Sequence, residues 1–512
     1  MFCFQCEQTA CGTGCILRGV CGKEASVGEL QDALTASLIR MVQTLGASQQ
    51  RQAAPLIEEA LFTTVTNVNF DAISVRCLIR QINAFAGLPE DTPDESLEDI
   101  WNAPEDERSL RAIILFGLRG MAAYAHHARA LGYRDEQVEA FWFKALRTLG
   151  DPATMECLLA LALELGKVNL VCMELLDRAN TSTYGHPTPT KVGMRVEKGP
   201  FVVITGHDLR DLAMLLPQAA KRGVAVYTHG EMLPAHGYPE LRKYDNLKGN
   251  FGTAWQNQQR EFDALPGAIL YTTNCLMPPR ASYMDRIFTT AIVQFPNVPH
   301  ISADAKGYKD FTALLDRAIA LGGYAELYQG HGINGGTHVM TGFGHATLLA
   351  HASTILEAIQ AGTLRHIYLV GGCDGAKPGR NAYTEFVRNT PPDTLVLTLA
   401  CGKYRFNDLD LGMLGPFPRL LDMGQCNDAY GAIKVAATLA NACHCSVNEL
   451  PLTLVLSWYE QKAVCILLTL LALGIKRIKL GPTLPAFLSP AILNYLAQTY
   501  EIELFSAESC QV

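Results

Sequence analysis

Apolar residues recur every three or four positions between about residues 26 and 178, which is the period of an amphipathic helix. The clearest stretches are LQDALTASLIRMVQTLG and DPATMECLLALALELGKVNLVCMELLDRA. The residues before them are rich in Gly, Cys and Thr and too irregular for a helix. The segment 179–194 is rich in Thr, Pro and Gly, so we predict that a helical domain ends there in a linker.

Short apolar runs alternate with amphipathic helices after this linker. FVVITG, VAVYTHG and AILYTTN come first, and HIYLVGG, TLVLTLA and LTLVLSWY follow in the second half. Continuous apolar strands separated by helices indicate parallel sheets that are covered on both faces. A helix, LLAHASTILEAIQAG, precedes HIYLVGG, so we place a boundary near residue 343. The pattern predicts a multidomain α and α/β protein, with an N-terminal segment and helical domain over 1–190 and α/β domains over 191–343 and 344–512.

Composition and charge narrow the classes of protein. The 512 residues include 42 Lys and Arg and 50 Asp and Glu, a net charge of −8, so nucleic acid is not an expected partner. The longest apolar run covers only 463–475, whereas about 20 residues are needed to cross a bilayer. The start, MFCFQCEQ, lacks a basic segment followed by an apolar one, so we expect no secretory signal, no membrane partner and a cytoplasmic location.

The sixteen cysteines indicate metal or redox chemistry, because a large chain without an export signal rarely relies on disulfides. Cys3, Cys6, Cys15 and Cys21 form a compact set with two, eight and five residues between them. Four thiolates at this spacing suit a 4Fe–4S cluster, and a structural zinc site is the alternative. Cys11 lies inside the same loop, and we expect it not to be a ligand.

A second set of candidate ligands follows the predicted strands. In parallel α/β sheets, sites form beyond the carboxyl ends of the strands. Six strand ends are each followed by a possible metal ligand, and a seventh candidate lies in a loop before a helix: His207, Glu231, Cys275, Cys373, Cys401 and Glu460, then Cys426. Thiolates are soft ligands suited to iron–sulfur chemistry, whereas imidazole and carboxylate are harder. The mixed set predicts a cluster with sulfur-rich and oxygen-rich irons that could bind a small substrate.

Glu460 lies between an apolar strand and an apolar helix, where an unpaired carboxylate would be costly. Lys462 could be its ion-pair partner, since the two side chains would point to the same side if the chain were still extended there. The remaining thiols in helical stretches are expected to be buried and inert: Cys77, Cys157, Cys172, Cys443, Cys445 and Cys465.

Several long motifs together resemble one family. FCFQCEQTACGTGC, GHDLRDL, THGEMLPAH, TTNCLMPP, GGCDGAKPGR, ACGKYRFN, GQCNDAY and SWYEQKAVC are similar to those of the hybrid-cluster proteins, also called prismane proteins or hydroxylamine reductases. The resemblance runs from residue 1 to about 490. It implies a helical N-terminal domain followed by two Rossmann-like parallel-sheet domains, with a cluster at the domain interface.

The resemblance also implies roles for individual residues. The N-terminal 4Fe–4S cubane would be held by Cys3, Cys6, Cys15 and Cys21, in the spacing typical of strict anaerobes. A hybrid 4Fe–2O–2S cluster would be held by His207, Glu231, Cys275, Cys373, Cys401, Cys426 and Glu460. Cys373 would carry a persulfide, and Lys462 would lie beside the cluster.

The function implied by the family name is the two-electron reduction of hydroxylamine to ammonia and water. Electrons from an external donor protein would enter through the cubane, and Glu231, Glu460 and Lys462 are the candidates for delivering protons. Three alternatives stay open: reduction of nitric oxide to nitrous oxide at the same cluster, a carbon monoxide dehydrogenase, and a nitric-oxide-responsive redox or thiol-modifying protein. The motifs GQCNDAY and WYEQK favour the hybrid cluster over the dehydrogenase.

Overall fold

The structure is a computed structural model that describes residues 1–89 and 92–505. Its N-terminal part is helical, and the described residues between the first and last of these helices form no strand: α1 (Ala25–Thr44), α2 (Gln50–Thr63), α3 (Ala72–Phe85), α4 (Glu98–Trp101), α5 (Glu105–Ala130), α6 (Glu136–Gly150) and α7 (Met155–Tyr184). The predicted linker begins too early in the sequence, because α7 continues to Tyr184. Gly185, with a φ of 82°, ends the helix, and Thr190–Gly193 is already a strand.

The first parallel sheet has six strands in the order β5-β4-β3-β6-β7-β8. Two further pairs, β1 with β10 and β2 with β9, are antiparallel. The strands are β1 (Thr190–Gly193), β2 (Arg195–Val196), β3 (Phe201–Thr205), β4 (Ala225–His229), β5 (Leu247–Asn250), β6 (Ala268–Tyr271), β7 (Ile287–Thr290), β8 (His300–Ile301), β9 (Tyr328–Gln329) and β10 (His338–Thr341). Its helices are α8 (Leu209–Lys221), α9 (Pro239–Arg242), α10 (Gln258–Glu261) and α11 (Thr312–Leu321).

The second parallel sheet also has six strands, in the order β15-β12-β11-β16-β17-β18, and β13 and β14 form an antiparallel pair. The strands are β11 (His366–Gly372), β12 (Thr394–Thr398), β13 (Met413–Leu414), β14 (Phe417–Pro418), β15 (Leu420–Asp422), β16 (Leu452–Ser457), β17 (Ile478–Gly481) and β18 (Glu503–Leu504). The helices are α12 (His345–Ala350), α13 (Ala352–Gln360), α14 (Ala382–Arg388), α15 (Ala429–Ala442), α16 (Gln461–Ala472) and α17 (Pro490–Tyr500).

These two sheets and the helical region confirm the predicted fold class. The single helix predicted before HIYLVGG is two helices, because the chain turns at His351 between α12 and α13. The division of the chain at residue 343 stays a prediction. Within the described ranges, no helix combines the length and apolar character that crossing a membrane requires.

Helix α16 joins the second sheet to the helical region. It packs against α5 and α7 at two glycines, where a Cβ on Gly120 would lie 2.2 Å from the carbonyl oxygen of Gln461 and a Cβ on Gly166 would lie 2.2 Å from that of Leu468. Only glycine allows so close an approach of two helices. The first turn of α16, which carries Lys462, is therefore fixed against the helical region.

Three of the thiols expected in the core are exposed instead: Cys77, Cys157 and Cys443. Cys77 illustrates the reason, because the buried residues of α3 include Val75, Leu78 and Ile82, and the helical period places Cys77 on the opposite face. Cys445 is only partly buried, whereas Cys172 and Cys465 are buried as expected.

Candidate metal centre

The chain bends sharply just before four of the candidate ligands. The preceding residue has a positive φ in each case: Gly206 before His207, Gly230 before Glu231, Gly372 before Cys373 and Ala400 before Cys401. Cys275 itself has a φ of 72°. At Gly372 the space is also closed, because a Cβ would lie 2.1 Å from the carbonyl oxygen of Ser457. These bends turn residues at the strand ends away from the strand direction and toward one buried site.

His207, Glu231 and Cys426 form one side of this site. A ligand atom from each lies within 4.8 Å of the others. His207 Nε2 is 4.0 Å from Glu231 Oε2, and the ring's Nδ1 is 3.5 Å from the hydroxyl of Thr273. The Cys426 N–H donates to Glu231 Oε2 at 2.8 Å, while Glu231 Oε1 is buried without a hydrogen bond. One imidazole nitrogen and one carboxylate oxygen are thus free to bind a metal.

Cys275, Cys373, Cys401 and Glu460 form the other side. Cys373 Sγ lies 3.8 Å from Glu460 Oε1, and Cys401 Sγ accepts a hydrogen bond from the Asp374 N–H at 3.1 Å. Cys275 packs against the apolar cluster that contains Cys373 and Cys401, and it is the one partly exposed residue of the seven. The two sides face each other, because Cys426 acts electrostatically on Cys275 and Cys373, and Glu231 acts on Cys401. The structure therefore brings together the six residues that follow strands and Cys426 from the loop.

Glu460 and Lys462 lie at the start of α16, so the extended chain considered for them is wrong. The Glu460 carboxylate caps the helix, with Oε2 accepting the Lys462 N–H at 3.1 Å. Lys462 Nζ lies 3.4 Å from Asn274 Oδ1 and 3.5 Å from Asn427 Oδ1. Asn274 is next to Cys275 in the chain and Asn427 is next to Cys426. Lys462 Nζ therefore lies beside the candidate ligands.

Burial dominates the electrostatics of the seven candidate ligands. It raises the pKa of the carboxyls of Glu231 and Glu460, raises the pKa of the Cys426 thiol to about 12, and lowers the pKa of His207 well below its usual range. Burial also raises the pKa of the thiols well above the ordinary value at Cys275, Cys373 and Cys401. A bound cation would reverse these shifts in the acidic groups, because it favours the thiolate and carboxylate forms. The donor set therefore fits a metal cluster.

Lys462 carries the opposite charge to most of its surroundings. Burial acts to lower the pKa of its ammonium group, but the facing Cys426, Glu460 and Cys275 outweigh burial and raise the pKa overall. The raised pKa keeps Nζ protonated when these facing groups are in their anionic, metal-binding forms. A fixed cation at this place can orient a small polar substrate beside the candidate ligands.

The sequence argument missed a second buried lysine. Lys403 Nζ donates to Asp422 at 2.9 and 3.0 Å and to the carbonyl oxygen of Gly424 at 2.8 Å, and it lies 4.0 Å from Glu231 Oε1. Its position in ACGKYRFN, two residues after Cys401, was the available signal. Lys403 links the loop before Cys426 to the carboxylate of Glu231.

The four N-terminal thiols also lie together. Cys3 and Cys15 are paired through two backbone hydrogen bonds of 3.0 and 2.8 Å, and the Ala10 N–H donates to Cys15 Sγ at 3.5 Å. Burial raises the pKa of Cys6, and Cys21, Cys3 and Cys15 raise it further because their sulfurs face it. Cys11 lies in the same turn with a φ of 54°, and it is exposed, whereas Cys6 and Cys15 are buried; its expected role as a non-ligand stays a prediction.

The spacing of these sulfurs bears on the choice between zinc and a cluster. Among the described residues, one group of three or more potential ligands has all its ligand atoms within 4.8 Å of one another, and it consists of His207, Glu231 and Cys426. No three of the N-terminal sulfurs are that close. A tetrahedral zinc ion with Zn–S bonds of about 2.3 Å holds its sulfurs only ~3.8 Å apart. The wider arrangement favours a cluster over a single zinc ion.

Tyr459 connects the two sets of candidate ligands. Its carbonyl oxygen accepts the Glu7 N–H at 3.0 Å, and its hydroxyl oxygen lies 3.0 Å from Gln8 Oε1 and 2.8 Å from Asn67 Oδ1. The ring packs on Trp255 at a centroid distance of 4.9 Å, within the apolar cluster that contains Cys373 and Cys401. The N-terminal loop is therefore anchored directly on the residue before Glu460.

With this geometry, comparison with known proteins identifies the family. The model of the Prismane/CO dehydrogenase family matches residues 1–507. The chain belongs to the prismane/CO dehydrogenase family. Among its relatives is a hydroxylamine reductase of Solidesulfovibrio magneticus, 48% identical over 99% of this chain and 98% of the relative. Those of Syntrophobacter fumaroxidans and Crocosphaera subtropica are 48% and 45% identical over 98% of this chain and 97% of each relative.

Solved structures with this fold include carbon monoxide dehydrogenases. Carbon monoxide dehydrogenase IV from Carboxydothermus hydrogenoformans has a TM-score of 0.56 at 16% identity, covering 96% of this chain and 87% of that one. The nickel-free enzyme of Thermococcus sp. AM4 also has a TM-score of 0.56, at 17% identity, covering 99% and 89%. These likenesses establish a shared fold. Membership of the prismane/CO dehydrogenase family further implies iron–sulfur clusters.

Proposed function

We propose that this protein reduces hydroxylamine to ammonia and water, taking up two electrons and two protons per molecule. The observation that carries the proposal is the convergence of one imidazole, two carboxylates and four thiols on one buried site. Relatives that are 48% identical over nearly the whole chain are named hydroxylamine reductases, which supports the same activity.

Two clusters fit the two sets of residues. Cys3, Cys6, Cys15 and Cys21 would hold a 4Fe–4S cubane, and a hybrid 4Fe–2O–2S cluster would be held by His207, Glu231, Cys275, Cys373, Cys401, Cys426 and Glu460. When bound, the hybrid cluster would supply electrons and a Lewis-acidic iron with an open position. The persulfide at Cys373 stays a prediction.

The protein's own side chains would position the substrate and its protons. Lys462 Nζ is a fixed, protonated donor held by the amide oxygens of Asn274 and Asn427. It would donate a hydrogen bond to the oxygen of hydroxylamine and so orient the N–O bond. Glu231 and Glu460 are the carboxyl groups within the site that could carry protons to it. The surrounding side chains exclude water, since the site residues other than Cys275 are buried.

The direct test is turnover by protein loaded anaerobically with iron and sulfide. With reduced methyl viologen as the electron source, we expect one ammonia for each hydroxylamine consumed and two viologens oxidised. Protein that contains both clusters but produces no ammonia would contradict the proposal.

One observation supports a second candidate substrate, nitric oxide. A cavity of about 410 Å³ runs along α15 and is lined almost entirely by apolar side chains. It shares Leu369, Ala432, Ile433 and Leu470 with a cavity of about 70 Å³ that reaches Cys373 and Cys426. An apolar route suits an uncharged gas. Two nitric oxide molecules, two electrons and two protons would give nitrous oxide and water, and gas chromatography of the headspace beside the ammonia assay separates the two activities.

A further inference from the structure

Three large aliphatic side chains project into solvent from the loop between Cys15 and Cys21. Ile16, Leu17 and Val20 are 66, 83 and 55% exposed. A single exposed aliphatic side chain is ordinary on a protein surface, but three within five residues form an apolar patch. We call Ile16, Leu17 and Val20 the apolar loop.

The apolar loop is held in place rather than frayed. The Gly19 N–H donates to the carbonyl oxygen of Lys23 at 2.8 Å, and the Gly22 N–H donates to that of Gly19 at 2.9 Å. Arg18 and Glu24 are paired both as a β-bridge and through an ion pair of 2.8 Å. The three side chains are therefore presented in a fixed arrangement, which lowers the entropic cost of binding a partner.

The exposed charges beside the apolar loop are mainly positive. Gly22 packs so closely on Pro278 that a Cβ would lie 2.6 Å from its Cγ. Arg280, two residues further on, is exposed, and so is Arg260. Arg260 follows Gln259, whose side chain donates to the Pro278 carbonyl oxygen. The exposed carboxylate of Asp263 offsets one of these two positive charges. The charges of the ion pair between Arg18 and Glu24 cancel each other. These charges leave one net positive charge beside the apolar loop of a protein whose net charge is −8, and we call Arg260 and Arg280 the basic rim.

We propose that the apolar loop is the docking surface for a small, acidic electron-carrier protein. The inference rests on the proposed function, because hydroxylamine reduction needs two electrons from outside the protein. Both ends of the loop, Cys15 and Cys21, are candidate ligands of the first cluster. A partner that buries the side chains between Cys15 and Cys21 would therefore lie close to that cluster. The negative charge on an acidic partner would be attracted to the basic rim.

The test uses anaerobically reconstituted protein and an acidic plant-type 2Fe–2S ferredoxin as the probe. Binding is measured by isothermal titration calorimetry for the parent and for the triple variant Ile16→Ser, Leu17→Ser and Val20→Ser. The parent binds the ferredoxin, and the variant's Kd rises at least about tenfold, because the variant no longer buries three apolar side chains in the interface. A matched triple variant with three exposed aliphatics changed elsewhere keeps the parent's Kd within about twofold: Ile73→Ser, Leu327→Ser and Met413→Ser.

Two further measurements separate docking from loading and from chemistry. Iron content and the electron paramagnetic resonance signal of the N-terminal cluster show whether the triple variant binds that cluster. If the triple variant does not bind it, the single variant Leu17→Ser is used instead. Turnover with reduced methyl viologen, which needs no docking surface, stays at the parent's rate while ferredoxin-driven turnover falls. A parent that makes no ammonia with methyl viologen contradicts the proposed function without affecting the binding result.

Three results would overturn the docking proposal. The first is a parent that does not bind the acidic ferredoxin. The second is a triple variant that binds it as tightly as the parent does. The third is sedimentation showing a parent dimer that the triple variant dissociates, because the occupant of the surface would then be a second copy of this chain.

Discussion

Replacing Glu460 with Gln tests whether its carboxylate binds a metal or only caps a helix. The structure supports both roles, since Oε2 accepts the Lys462 N–H at 3.1 Å and Oε1 lies 3.8 Å from Cys373 Sγ. Glutamine keeps the shape and an oxygen that accepts the capping hydrogen bond. It removes the negative charge that a cluster would use.

The two roles predict losses of very different size. As a helix cap, Glu460 loses only the attraction between its charge and the start of α16, about 0.3–1 kcal/mol. In a chain of this size that lowers Tm by less than about 2 °C. Substitutions that merely misorient a metal ligand cost ~10–100-fold in metal affinity or activity, and losing a ligand costs at least as much. We therefore expect hydroxylamine turnover to fall by at least about 100-fold, with the fold and the N-terminal cluster retained.

The assay compares iron content, Tm and turnover of Glu460→Gln with those of a matched helix-cap variant. Asp71→Asn is suitable, because Asp71 Oδ1 caps α3 by accepting the N–H of the second residue on, Ile73, at 2.9 Å. Both variants should show small shifts in Tm, and only Glu460→Gln should lose iron and activity. Full activity in Glu460→Gln would show that the carboxylate is a cap and nothing more.

Three other predictions test the metal sites. Elemental analysis of anaerobically prepared protein should find about eight irons per chain, the sum of two four-iron clusters. One zinc with four irons would contradict the N-terminal cluster. Nickel would favour the alternative that the protein is a carbon monoxide dehydrogenase. Cys6→Ser should abolish the spectroscopic signal of the first cluster and spare the second, because the ligand sets are separate, whereas Cys11→Ser should change neither signal. Lys462→Met should slow turnover while keeping the iron, and loss of iron would show that Lys462 supports assembly instead.

Hydrophobic periodicity was sufficient to predict the fold class, because long helices and fully buried parallel strands leave strong signals. It failed where a single residue decides the outcome. The apolar pattern before HIYLVGG continues through His351, yet the chain turns there and forms two helices. Cys77 has apolar neighbours along the sequence, but its face of α3 is exposed. Burial depends on which face a neighbouring element covers, and that information lies elsewhere in the chain.

The candidate site was predictable for a different reason. Parallel strands direct their carboxyl ends to one edge, so residues that follow strands distant in sequence come together without any need to predict side-chain contacts. The supporting residues have no such rule. The hydroxyl of Thr273 lies near the ring of His207, and Lys403 lies near the carboxylate of Glu231. The first contact joins the ends of two adjacent strands of one sheet and the second joins the two sheets, so no single sequence rule predicts both.

The charge of the site supports the proposal that these residues bind a metal rather than form a network of ion pairs. Away from the site, a buried charge in this chain has a close partner, as Glu58 has in Arg129 at 2.6 Å. Glu231 Oε1 has no hydrogen bond, and burial raises the pKa of the Cys426 thiol to about 12. Without a cation these thiols stay protonated at neutral pH, so cluster binding must release protons and becomes stronger as pH rises. The thiolate and carboxylate forms of these buried ligands are thus stable only beside a cation, and a four-iron cluster supplies that positive charge.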